Sequence, residues 1–219
     1  IMDSKLLPHT VSDFSSSKFW DNFFKERKLN NKTNSILKDV SSTTSSKLAE
    51  DDNVNNNDSF EWYGEWIDIK DIINNTLINL NKNTKLLIVG CGNSTLSADM
   101  YLSGYKNQIN LDFSSYVIND MNEKYSNNLK WNGMEFILGD MTNMEKMLTQ
   151  KKHFFTSIID KGALDALYSE NSKEKKIKVE LFFNEIVILL TNNKLNYGNY
   201  ICISLGEHFI LRTLLNFLK

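Results

Sequence analysis

Apolar positions along the chain repeat with two periods. Short apolar runs read as buried strands: "LLIV" (86–89), "INLD" (109–112), "EFIL" (135–138), "TSIID" (156–160) and "NYICISL" (199–205). Helical spacing fills the gaps between them. "STLSADMYLS" (94–103) predicts a helix closed by Gly104, and "SSYVINDMNEKY" (114–125) one capped by Ser114 or Ser115. A long helix is predicted from Lys173 to Leu190, with Ile177, Leu181, Phe182, Ile186 and Leu189 inward. "EHFILRTLLNFLK" gives a last helix, and positions 69, 72, 73, 77 and 80 give one ahead of the first strand. Alternating strands and helices predict an α/β fold, a Rossmann-like doubly wound and mainly parallel sheet with helices on both faces.

The N-terminal third divides differently. Phe19, Trp20, Phe23 and Phe24 recur at helical spacing, so residues 1–29 are expected to hold a lid helix. From Asn30 to Asp58, 15 of 29 residues are Asn, Ser or Thr and none is aromatic. Such a stretch buries too little apolar area to offset its ordering entropy, which predicts a weakly ordered insertion over 30–58. "FEWYGEW" (60–66) then opens the third unit, 59–219.

Composition adds limits. At 219 residues and 41% apolar, the chain supports one sizeable α/β domain. A net charge of −2 gives no reason to expect nucleic acid as a partner. No apolar run approaches the roughly 18 residues of a membrane span. Cys91 and Cys202 stand in strand-like surroundings, away from any His at ligand spacing, and read as reduced thiols of a cytoplasmic protein without a metal site.

In doubly wound sheets, ligands bind at the carboxyl ends of the strands. The first strand ends in Gly90-Cys91-Gly92, the second in Asp112, the third in Gly139-Asp140, the fourth in Asp160. Capping or turn duty would explain any one of these carboxylates alone; three in register with a glycine turn point to a site. Asp112 lies 20 residues after Gly92, the spacing of an acid that takes ribose hydroxyls. No phosphate-loop lysine motif follows the turn, which disfavours a triphosphate. Thr95 stands where the dinucleotide fingerprint has its third glycine, which disfavours a pyrophosphate and a nicotinamide oxidoreductase. A nucleoside with an amino-acid tail, S-adenosylmethionine, fits these limits.

Seven segments carry a family resemblance: "LLPHTVSDFSSSKFWDNFFKER", "FEWYGEW", "LLIVGCGNSTLS", "INLDFSSYVINDM", "GDMTNM", "IIDKGALDAL" and "YICISL". The chain resembles a class I (seven-strand) S-adenosylmethionine-dependent methyltransferase of the methyltransferase-like 13 family, the elongation factor 1 alpha lysine methyltransferases, in its N-terminal domain. "GCGNS" and "DKGALDAL" are the more specific parts of the match. The resemblance implies that Gly90 and Gly92 pass under the methionine part of the cofactor and that Asp112 takes the ribose, with Phe113 beside the adenine. It implies Asp140 and Met141 at the adenine, Asp160 and Lys161 at the methionine end, and Trp20, Phe24 and Phe60 closing the site. Asp160, Asp165 and Tyr63 are the candidate catalytic groups, with Trp62 and Tyr63 walling an acceptor channel. The implied product is S-adenosylhomocysteine and the implied acceptor a protein lysine on elongation factor 1 alpha. A small-molecule or polyamine acceptor and an inactive cofactor-binding scaffold are the alternatives, and a homodimer stays open. The chain ends one helix after its fifth predicted strand, where the class adds an antiparallel hairpin, so a C-terminally incomplete fragment is expected.

Overall fold

A computed structural model describes residues 6–41, 58–77, 84–126, 128–149, 151–193 and 196–217. Its main sheet contains β1 (Lys85–Val89), β2 (Asn107–Asp112), β3 (Met134–Leu138), β4 (Ser157–Lys161) and β7 (Asn199–Ile203). A two-residue antiparallel pair, β5 (Asn192–Asn193) and β6 (Asn196–Tyr197), precedes the last strand. The five strands are parallel and lie in the order β3-β2-β1-β4-β7. Strand order reverses beside β1, which pairs with β2 on one side and β4 on the other. The doubly wound prediction stands.

Burial explains the apolar runs. β4 is buried throughout and β1 beyond its first residue, as expected for strands covered on both faces. Alternate side chains enter two separate cores. Leu86 and Ile88 join one built from α2 (Ser17–Ser41), α3 (Trp66–Thr76), α4 (Leu96–Leu102) and α5 (Ser115–Met121). Leu87 and Val89 join another built with α6 (Ala163–Leu167), α7 (Lys173–Leu189) and α8 (His208–Phe217). Gly104, at φ +106°, follows α4 in the left-handed conformation that ends helices. Ser114 caps α5 by accepting the Val117 N–H at 3.2 Å, and Ser172 caps α7 by accepting that of Lys175 at 3.3 Å.

Two expectations change. On α7, Ile177 and Leu181 are 49% and 47% exposed, while Val179 and Phe183 are buried with Phe182, Ile186 and Leu189. The helix is apolar on more than one face. The Phe182–Phe183 pair decides its rotation by packing edge-on against Tyr200, and Phe183 also meets Phe217. At the N-terminus a short helix, α1 (Val11–Phe14), comes first, and α2 then continues to Ser41 rather than stopping at residue 29. No Gly or Pro interrupts residues 17–41. The rest of the Asn/Ser-rich segment, 42–57, lies outside the described residues, as does position 80 of the helix expected before β1.

α2 is tied to α5 by side chains. Asp21 accepts the Ser114 hydroxyl at 2.6 Å and the Tyr116 N–H at 3.0 Å. Further along, Asp120 pairs with Lys28 and with Lys124. Among the described residues, no helix is long and apolar enough to cross a membrane.

Candidate active site

A cleft opens at the carboxyl edge of the sheet, where strand order reverses between β1 and β4. Its floor is the turn after β1. Gly90 adopts φ +59°, and a Cβ there would stand 2.4 Å from the Cβ of Ala163. Glycine is therefore what lets the end of β1 approach the start of α6. Gly92, at φ +53°, donates its N–H to Oδ2 of Asp112 at 2.9 Å. The other oxygen of Asp112 accepts the Ser114 N–H at 2.9 Å. Asp112 thus orders the entry to α5 and lines the cleft with Phe113. Burial pushes its carboxyl up to about 6, against the pull of the Ser114 and Gly92 N–H groups. With the Phe113 N–H also directed at it, the carboxylate still has lone-pair capacity for a ligand.

After β3, Gly139, Asp140 and Met141 border the same cleft. Oδ1 of Asp140 accepts the N–H and hydroxyl of Thr142, both at 2.8 Å, which sets the turn. On the opposite wall, Trp20 and Phe24 of α2 and Phe60 are each 6% exposed and also line the opening. They pack in the core and close the site at once. Trp20 Nε1 donates to the Phe14 carbonyl at 3.0 Å, which settles the indole's polar edge.

The segment 60–64 continues that aromatic wall, Trp62 packing edge-on against Phe60 and Trp20. Tyr63 holds φ +61°, uncommon for an aromatic residue, and Gly64 follows at φ +120°. A Cβ on Gly162 would come within 3.2 Å of the Tyr63 ring, so the glycine before α6 makes room for that wall. Lys161 does not open toward the cleft as a free cation. Its Nζ donates to Oε2 of Glu61 at 2.7 Å and to the Trp62 carbonyl at 2.8 Å. Glu61 in turn accepts the Ser94 hydroxyl and the Thr95 N–H, each at 2.6 Å. Glu61 escaped sequence reasoning. Its signal was an acid set among aromatics in "FEWYGEW", but its partners lie 33 to 100 residues away.

Asp160 stands apart from Asp112 and Asp140. It does not border the cleft and is fully buried beneath it. Its oxygens accept the Ala163 N–H at 2.8 Å, the Leu164 N–H at 3.1 Å and the Tyr200 hydroxyl at 2.9 Å. Burial pushes the carboxyl up to about 7, opposed by these donors. It holds the start of α6. Asp165, one turn into α6, does face the cleft. Oδ1 accepts the Ser204 hydroxyl at 2.8 Å, while Oδ2 has no hydrogen bond of ordinary length among the described residues. Burial raises the Asp165 carboxyl. Burial, then the neighbouring Asp165 charge, raises the Tyr63 hydroxyl.

Residues 80–197 match a family model described as "Methyltransferase domain". The chain is 33% identical, over 97% of its length, to an "eEF1A lysine and N-terminal methyltransferase homolog" of Drosophila pseudoobscura pseudoobscura, and covers 26% of that protein. It is 26% identical over 70% of its length to "EEF1A lysine methyltransferase 4" of Mus musculus, covering 57% of it. Among solved structures, a putative S-adenosyl-L-methionine-dependent methyltransferase from Methanococcus maripaludis aligns with a TM-score of 0.46 and 16% identity, over 70% of this chain and 64% of that one. The chain spans about a quarter of the length of the Drosophila relative.

Proposed function

The chain belongs to the methyltransferase-domain family, and on that premise we propose that it binds S-adenosylmethionine in the cleft and transfers its methyl group to a lysine amine of a protein. The observation that carries the reading is the Gly92–Asp112 hydrogen bond. It places a glycine turn and an acceptor carboxylate on one wall, which suits a ribose lying against bare backbone.

The residues present fit that cofactor. Ser94 and Thr95, just beyond the glycine turn, are engaged by the carboxylate of Glu61. Those donors are already taken and cannot cradle a pyrophosphate, so the cleft favours a nucleoside without phosphate over a dinucleotide. The Gly90–Gly92 turn would underlie the methionine part, Asp112 would take the ribose hydroxyls, and Phe113, Asp140 and Met141 would border the base. When bound, S-adenosylmethionine supplies a methyl group on a sulfonium and leaves as neutral S-adenosylhomocysteine.

The protein's part is positioning. Trp20, Phe24 and Phe60 exclude water from one side of the cleft. Trp62, packed edge-on against Phe60, and Tyr63 continue this wall and suit the stem and ammonium of a lysine. An attacking amine must be neutral, although its ordinary pKa is about 10.4. Removal from water lowers that value. Asp165 acts in the opposite sense on the proton, because a carboxylate favours the ammonium. Its role is electrostatic: from the cleft wall, beside the Tyr63 hydroxyl, it attracts and orients the approaching amine.

For the acceptor we propose elongation factor 1 alpha, which the relatives' names supply. The mouse relative, named for lysine alone, supports a side-chain amine. The Drosophila relative's name also includes N-terminal methylation, which makes a protein α-amine the second reading. The free thiols of buried Cys91 and half-buried Cys202 suit a cytoplasmic setting. The test is incubation with labelled S-adenosylmethionine and purified elongation factor, with mass spectrometry locating the label. Label on lysine supports the proposal and label on the α-amine selects the second reading. An unlabelled factor refutes the acceptor assignment.

A further inference from the structure

Residues 60–64 carry the aromatic wall, yet they belong to no helix or strand, and their backbone lacks a ladder to hold it. What holds them is polar. The Phe60 N–H donates to Asn93 Oδ1 at 3.1 Å. Glu61 takes the Ser94 hydroxyl and Thr95 N–H with one oxygen each. Lys161, at the end of β4, reaches Glu61 Oε2, the Trp62 carbonyl and, at 3.4 Å, the Gly64 carbonyl. The two charged side chains are 6% and 14% exposed, so water screens their attraction little. Tyr63 between these anchors sits in a left-handed conformation that persists only where its surroundings enforce it.

We propose that Glu61 is a positioning residue that fixes the acceptor wall, residues 60–64, to the glycine turn, so that the two sides of the cleft keep one spacing. This rests on the methyl-transfer reading for its kinetic consequence, though not for its structural one. An in-line displacement depends steeply on alignment, and a misplacement of about 1 Å is worth roughly 100-fold in rate. Removing Glu61 frees the wall and leaves Lys161 as an unpaired buried cation. Removing both charges together avoids that second penalty.

The test compares wild type, Glu61→Gln, Glu61→Asp, Lys161→Met and the double variant Glu61→Gln/Lys161→Met. Two readouts are taken on protein saturated with S-adenosylhomocysteine or assayed with elongation factor. In hydrogen exchange, Glu61→Gln should speed the amides of Phe60 and Thr95 by about tenfold or more, leaving those of Val89 and Leu111 unchanged. In kinetics, it should lower kcat by roughly 10- to 100-fold with affinity for S-adenosylhomocysteine within about threefold. Glu61→Asp should recover part of the loss, and the double variant should be no worse than the poorer single one. Unchanged exchange at Phe60 and Thr95 overturns the inference, as does a loss that falls equally on cofactor affinity, exchange everywhere and kcat. If wild type transfers no methyl group to any amine, the functional reading fails, and the exchange result alone decides the role of Glu61.

Discussion

The Tyr200 hydroxyl donates to Oδ2 of Asp160 at 2.9 Å, beneath the floor of the cleft and forty residues away in sequence. The same carboxylate receives the first N–H groups of α6, so one buried acid joins β4, β7 and the helix that carries Asp165. Its pKa sits near 7 when folded, against an ordinary 3.8. Between those values the folded chain holds a proton that the unfolded chain has lost. This contribution to stability is complete below about pH 4 and disappears as pH rises through about 7. Asn imitates the protonated acid. In urea denaturation, the stability of wild type minus that of Asp160→Asn should therefore shrink between pH 5 and pH 7.5. A difference that grows with pH contradicts the burial argument.

Asp112 gives a pH effect on binding instead. Its carboxyl, raised to about 6, offers its full set of acceptors only above that value. Affinity for S-adenosylhomocysteine, measured by calorimetry, should weaken from pH 7.5 to pH 5 in wild type. Asp112→Ala should bind about 10- to 100-fold more weakly at pH 7.5, the worth of a charged hydrogen bond, and lose the pH dependence.

The two glycines of the floor should respond unequally to a methyl group. At Gly90 an added Cβ meets Ala163 at 2.4 Å, while at Gly92 the nearest atom is Phe24 Cζ at 3.5 Å. Both pay the left-handed penalty of about 1–2 kcal/mol. Gly90→Ala should exceed it by a further ~1–3 kcal/mol of overpacking, read as a lower denaturation midpoint. Equal midpoints for the two variants would mean that α6 yields to the intruding methyl.

Asp165 separates acceptor from cofactor. Asp165→Asn keeps the Ser204 contact within reach but removes the charge beside Tyr63. Initial rates should show the acceptor KM raised about tenfold or more, with S-adenosylhomocysteine affinity near wild type. A variant with wild-type KM would remove Asp165 from the acceptor site.

The fold was legible because strands buried on both faces are written as short apolar runs, and their ends show where polar residues emerge. Asp112 and Asp140 follow that logic into the cleft. Asp160 presents the same signal, but its direction depends on Tyr200, which the local sequence does not connect to it. On α7, Ile177 and Leu181 form as good a stripe as Val179 and Phe183, so periodicity alone had no means to choose between them. Glu61 stayed hidden for a related reason: its importance lies in the company of Ser94, Thr95 and Lys161, none of them near it along the chain.

The Asp21 contacts with Ser114 and Tyr116 carry a consequence for biosynthesis. They span 93 and 95 residues. Phe19, Trp20, Phe23 and Phe24 therefore leave the ribosome well before the surface that shelters them exists. At synthesis rates of about 5–20 residues per second, the interval is roughly 5–20 s. For the first part of it the nascent helix presents that aromatic face bare; Phe60 and Trp62 then pack on it, and the seam is complete only once α5 is made.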